Sequence, residues 1–222
     1  DITSYPLGVI SEIGGSLGLN KRIFFFWDKK EPFDAKTLPK LINRTDVMEI
    51  DFFNRDVINA LLQKRMFSPS ELKKSLNICP IQSRKDKSKC EFHSVNNTKK
   101  HSKWVFIYTN DSLEKLKSKL VGKSKNFQLT PKSYKDFSGE RLVCKICRAI
   151  SSCQYSIIDI SDTDLDGVII SGMIRIRDYK AILISKTGTV KEISMWDKVS
   201  MNWNDETIDD DINELFKTLV NL

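Results

Sequence analysis

The sequence predicts a doubly wound α/β fold on a parallel sheet, built as two related units of which the first is incomplete. Three observations carry this expectation. Strand-sized apolar runs alternate with helix-length amphipathic stretches through the second half. One of those strands, residues 155–160 (YSIIDI), is apolar enough to be buried on both faces, as strands of parallel sheets are. A unit of strand end, loop, helix and strand occurs twice.

Along the chain, Asp1-Ile2-Thr3 reads as the end of a strand, followed by a loop with Pro6 and Gly8. Residues 9–19 follow as a helix and 23–27 (IFFFW) as a core strand. Residues 36–42 are expected to be helical, 47–50 a strand, 56–66 a helix, and Ser68-Pro69-Ser70-Glu71 a fresh helix start. Residues 79–103 are polar and irregular, a linker or insertion between a partial unit at 1–78 and a nucleotide-binding-like domain at 104–222.

In that second domain, 104–109 (WVFIYT) reads as a buried strand. Asn110-Asp111-Ser112 offers helix caps, Leu113, Leu116 and Leu120 recur at helical spacing, and Gly122 is the expected stop. Residues 127–130 form a short strand before Pro131. In 140–153, Leu142, Val143, Ile146, Cys147 and Ile150 share one helical face. After strand 155–160 come helix 166–178, strand 181–185 (AILIS), short strand 199–203 and amphipathic helix 207–222. Thr207 or a neighbouring Asp can cap the last helix, and Asp209–Asp211 suits its positive end.

Charge narrows the function. The excess of 36 Lys and Arg over 29 Asp and Glu gives +7. All of it lies in residues 1–103, with 19 basic and 12 acidic side chains; the remainder carries 17 of each. Residues 84–103 alone hold seven basic and two acidic groups, a solvated connector through which nucleic acid could be contacted. No apolar run approaches the roughly 20 residues of a membrane span. Five cysteines, an odd number, in a chain with a hydrophobic fraction of 40% fit a reducing, cytoplasmic setting without disulfides.

The repeat is explicit in the residues. Residues 1–26 read DITSYPLGVISEIGGSLGLNKRIFFF, and 159–184 read DISDTDLDGVIISGMIRIRDYKAILI. With one insertion in the second loop, Gly8 falls on Gly167, Val9 on Val168 and Lys21 on Lys180. Asp1 then occupies the place where the second copy's central strand ends, so the first copy is expected to lack its opening strands.

These residues resemble the nucleoside 2-deoxyribosyltransferase-like superfamily, near kin of TIR-like nucleotide-binding domains. The shared pattern is a strand ending Asp-Ile-Thr, a loop, Gly-Val, a helix with Glu-x-Gly and an apolar strand. It covers 140–185 and 1–27 and elsewhere only the order of elements. The resemblance implies a flavodoxin-like sheet, a nucleotide, nucleoside or NAD-like ligand, no required cofactor, and cleavage or exchange of an N-glycosidic bond. It implies Glu12 as the catalytic carboxylate and Asp1 as its strand-end partner. A fixed carboxylate stabilises the positive anomeric carbon of such a transition state. A Glu in the first turns of a helix also stabilises the dipole without chemistry, and both readings of Glu12 stand. Gly8 would let the loop approach a ligand, and Gly14 and Gly15 would permit close helix packing. In the second copy Asp159 matches Asp1, but Ser171 replaces Glu12, so this copy binds ligand through Asp159, Ser161 and Ser171 without turnover. The alternative function is a non-catalytic nucleotide-sensing or assembly module that self-associates or serves a larger protein.

Metal chemistry is weakly signalled. Cys79, Cys90, His93 and His101 form a C-x10-C-x2-H-x7-H series, of which only Cys90–His93 has an ordinary zinc spacing. Cys144 and Cys147 form a C-x-x-C inside a helical pattern, which reads as buried thiols. Asp164 and Asp166 are loop carboxylates that read as a solvated turn or, less simply, a cation site.

Overall fold

The computed structural model describes residues 7–19, 23, 25–32, 38–42, 47–50, 59, 100–139, 141–161, 165–177, 179–186 and 200–222. Five strands form the main sheet: β3 (His101–Tyr108), β4 (Thr130–Lys132), β5 (Cys153–Asp159), β6 (Ala181–Ser185) and β7 (Ser200–Asn202). Their spatial order is β4-β3-β5-β6-β7, and every pairing is parallel. Two earlier strands, β1 (Phe25–Asp28) and β2 (Val47–Ile50), pair in parallel as a separate ribbon.

Strand periodicity divides the core. Val105, Ile107, Ile157, Ile182 and Ile184 face one layer, with Leu116 and Leu120 of α2 (Glu114–Asn126) and the apolar stripe of α5 (Ile208–Val220). Phe106, Tyr108, Ile158, Ile160 and Leu183 face the other. That layer holds α3 (Leu142–Ser152), α4 (Leu165–Ile176) and α1 (Leu7–Gly18). The core on this face is continuous from Ile10 and Leu17 of α1 to Ile169 and Met173 of α4.

The sheet covers one side of α4 and α1 covers another, so Asp166 through Ile174 are all buried. The α1–α4 crossing is close because it is made by glycines. A Cβ on Gly14 would lie 1.9 Å from the Ile169 carbonyl oxygen, and one on Gly172 would lie 2.3 Å from that of Ser11. The expected tight packing at Gly14 is therefore real, whereas a Cβ on Gly15 meets open space.

Element boundaries depart from the sequence reading where tertiary context intervenes. β3 begins at His101, inside the stretch read as connector. α2 runs past Gly122 because Leu120 and Ser124 continue its buried stripe; it ends where Gln128 adopts a φ of 56° and Leu129 N–H returns to the Ser124 carbonyl at 3.0 Å. The short strand is Thr130–Lys132, not 127–130, and it contains Pro131. β4 is an edge strand, where a missing N–H costs no ladder bond. The described part of 36–42 is a turn closed by Ile42 N–H on the Pro39 carbonyl, not a helix. Thr207 stands at the N-cap of α5 as expected but gives no side-chain cap bond, its hydroxyl donating to Asp211 at 2.6 Å, while Asn204 closes the turn before the helix, its side-chain oxygen accepting from the backbone N–H of Glu206 and Thr207 at 2.9 and 2.8 Å. Of the helix expected at 56–66, only Asn59 is described, and it is helical. The helix start at Ser68 and the connector up to Lys99 lie outside the described residues. No helix among the described residues is long and apolar enough to cross a membrane.

Candidate functional site

Parallel strands all deliver their carboxyl ends to one edge, and there β3, β5 and β6 bring Asn110, Asp159, Ser161 and Lys186 together. Asp159 is the last residue of β5 and is fully buried. One carboxylate oxygen accepts from Ser161 N–H at 3.1 Å and Ser161 Oγ at 2.6 Å. The other faces Asn110 N–H at a long 3.5 Å. Burial pushes the Asp159 carboxyl above its ordinary range, and the bonds from Ser161 and Asn110 oppose that rise. Ser161 Oγ also accepts from Lys186 N–H at 3.2 Å, which ties the end of β6 to the end of β5. Lys186 Nζ pairs with Asp205 at 2.6 Å and lies 5.3 Å from the centre of the Trp203 ring. A Cβ on Gly167 would lie 2.0 Å from the Asp159 carbonyl oxygen, so only glycine lets the first turn of α4 abut this strand end.

The sequence-predicted residues do not converge on one point. Asp1 lies outside the described residues. Gly8 sits in the first turn of α1 rather than in a loop, exposed, with open space where a Cβ would be. Glu12 is exposed on α1 and lines an open depression of about 470 Å³ with Ser11, Ser16, Gly172 and Arg175. Asp159 and Ser161 are not among the residues lining that depression. Ser171 is buried, and its hydroxyl donates to the Val168 carbonyl of its own helix at 2.7 Å.

Asp166 corrects the reading of a solvated loop carboxylate. It lies in the first turn of α4, 3% exposed, and accepts from the backbone N–H of Lys40 and Leu41, each at 2.9 Å. It thereby fastens the 38–42 turn to the second half of the chain. Its role is that of a cap for a foreign turn, and its burial raises the carboxyl.

Asp164, Cys79, Cys90 and His93 lie outside the described residues, and His101 is stacked on Trp104 with ring centres 3.7 Å apart. Among the described residues no group of three or more His, Cys, Asp or Glu is arranged to hold a metal. Cys147 and Cys153 are buried thiols and Cys144 is half-buried.

No protein-family model, curated protein or solved structure matches the chain.

Asn110 and Lys186 were not read as site residues from the sequence. The signal was available, since each directly follows or closely follows an apolar strand, where α/β sheets keep their ligand contacts.

Proposed function

We propose that this chain is a nucleotide- or nucleoside-binding protein whose ligand sits at the carboxyl edge of the sheet, between Asn110 and Asp159–Ser161. Counted along the second half, the strands lie in the order second, first, third, fourth, fifth, an order that a doubly wound, flavodoxin-like sheet would have. Such sheets bind ligands where the crossovers leave in opposite directions, here between β3 and β5. The observation that carries the reading is the buried Asp159 carboxylate at that point, beside the Asn110 amide. A ribose hydroxyl or a base N–H is the kind of donor that satisfies such an acceptor.

The packing of α1 on α4 supports the two-unit reading. Gly14 meets Gly172 and Gly18 meets Ile176, one residue short of the offset that aligns Gly8 with Gly167. On that reading, like helices of two copies pack side by side. The deoxyribosyltransferase-like resemblance extends the proposal to N-glycosidase activity on NAD or a nucleoside, with Glu12 as the carboxylate. A second reading, a non-catalytic sensing or assembly module, is favoured by the buried Ser171 and by the separation of the Glu12 depression from Asp159.

Calorimetric titration with NAD, adenosine and AMP, coupled to chromatographic detection of released base, tests both. Binding is expected for the native chain and lost in Asp159→Asn. Base release that disappears in Glu12→Gln supports the enzyme; binding without release supports the sensor. Undiminished binding by Asp159→Asn removes the proposed site.

A further inference from the structure

The opposite, amino-terminal rim of the sheet carries a different chemistry. β3 opens with three exposed residues, His101, Ser102 and Lys103, before it enters the core. Around it, three lysine ammoniums sit over three aromatic rings. Lys100 Nζ is 3.7 Å from the centre of Tyr179, Lys132 Nζ is 4.5 Å from that of Trp104, and Lys180 Nζ is 5.9 Å from that of Tyr155. His101 stacks on Trp104, and all three rings remain partly exposed.

Among the described residues no carboxylate forms an ion pair with Lys100, Lys132 or Lys180. The nearby Cys153 thiol is pushed up to about 12, chiefly by burial, so it stays neutral and offers no thiolate. Asp136, a carboxylate whose charge also acts on that thiol, accepts from Ser133 N–H at 2.6 Å. Burial lowers the pKa of Lys100, and the neighbouring Lys180 adds repulsion. Cations resting on ring faces are weakly held when exposed. They are free to move to an anion and leave the ring behind.

We propose that this rim binds single-stranded nucleic acid, with Lys100, Lys132 and Lys180 on phosphates and Trp104, Tyr155 and Tyr179 presented to unpaired bases. Trp104 and Tyr179 pack against one layer of the core and Tyr155 against the other, so a strand crossing this rim meets a cation and a ring on each side of the sheet. A duplex buries its base faces and could use the lysines alone. In sequence the basic stretch 84–103 leads directly into this rim at Lys100 and His101. The rim lies at the far end of the strands from Asp159, so this proposal stands or falls independently of the nucleotide site.

The test is fluorescence anisotropy of labelled single-stranded oligo-dT and oligo-U with the full chain, over a range of salt. Binding should weaken linearly on logarithmic axes, and the triple change of Lys100, Lys132 and Lys180 to Gln should reduce the slope by about 2. Trp104→Leu should weaken binding about tenfold and Trp104→Phe much less, which separates stacking from folding when both variants keep native circular dichroism. A preference for oligo-U over oligo-dT, or the reverse, assigns RNA or DNA as the ligand; both support the rim. An unchanged slope in the triple variant overturns the proposal. So does equal binding of duplex, or complete competition by inorganic polyphosphate of the same charge, because either leaves the rings without a role. Loss of binding on neutralising only Arg84, Lys85, Lys87 and Lys89, with the triple variant unaffected, overturns it in favour of the connector.

Discussion

Two buried carboxylates flank the loop that leaves β5, and their partners differ in kind. Asp166 is satisfied by two backbone N–H groups from a distant turn, whereas Asp159 holds one close neighbour, Ser161, and one long contact to Asn110. Burial raises both carboxyls. A raised carboxyl holds its proton more tightly in the folded chain than in the unfolded one. Its contribution to folding is therefore complete below the unfolded value, about 4, and is lost as pH climbs through the folded value. Asp159→Asn keeps an acceptor oxygen and removes the charge. The stability of this variant relative to the native chain should accordingly rise as pH climbs above the unfolded value of about 4. Urea midpoints measured along that climb decide the matter, and a constant difference would show that desolvation does not dominate at Asp159. The exposed Asp111, Asp205 and Asp209 shift the other way, each lowered by a hydrogen bond from a lysine, and any such contribution fades as pH falls. Screening keeps it small.

At the scale of elements, the α1–α4 crossing makes glycines in otherwise similar helices respond with opposite sign. Alanine is favoured over glycine in a helix by about 1 kcal/mol. That gain is available at Gly8, where an added Cβ meets nothing within 4 Å. It is overwhelmed at Gly14 and Gly172, where the added atom falls 1.9 and 2.3 Å from backbone oxygens that cannot swing aside. Forcing the helices apart costs about 1–3 kcal/mol, as overpacked cores do. Gly8→Ala should therefore raise the denaturation midpoint while Gly14→Ala and Gly172→Ala lower it. A uniform gain at all three would mean the helices do not cross at these residues. The sequence signalled the close packing at Gly14 through its Gly-Gly pair, but it did not reveal the partner. The partner lies in a helix more than 150 residues away, and periodicity reports only that a face is apolar, not what covers it.

Over the whole molecule, the legible parts were those dictated by short-range chemistry. Unbroken apolar runs marked β3, β5 and β6, with 181–185 matched residue for residue, and the amphipathic stripe of α5 was plain. The strand-end Asp159 was found because buried sheets place polar groups at strand termini. What escaped was decided by contacts distant in sequence, namely the Asp166 clamp on Lys40 and Leu41 and the cations over the rim aromatics. The same long-range contacts bear on how the chain divides. Ile10, Ile13 and Leu17 of α1 share one core with Ile169, Ile170 and Met173 of α4. Each such side chain contributes about 1.5–3 kcal/mol on burial, and a domain's whole stability is only about 5–15 kcal/mol. Removing α1 also strips the two N–H partners from a buried Asp166 if the 38–42 turn leaves with it. A fragment of residues 100–222 should therefore bind the dye ANS, unfold at markedly lower urea than the full chain, and self-associate through the bared side of α4. Adding residues 1–78 in trans should reverse all three effects. A 100–222 fragment that is monomeric, ANS-silent and as stable as the full chain would show that the second half closes its own core and that α1 merely rests on it.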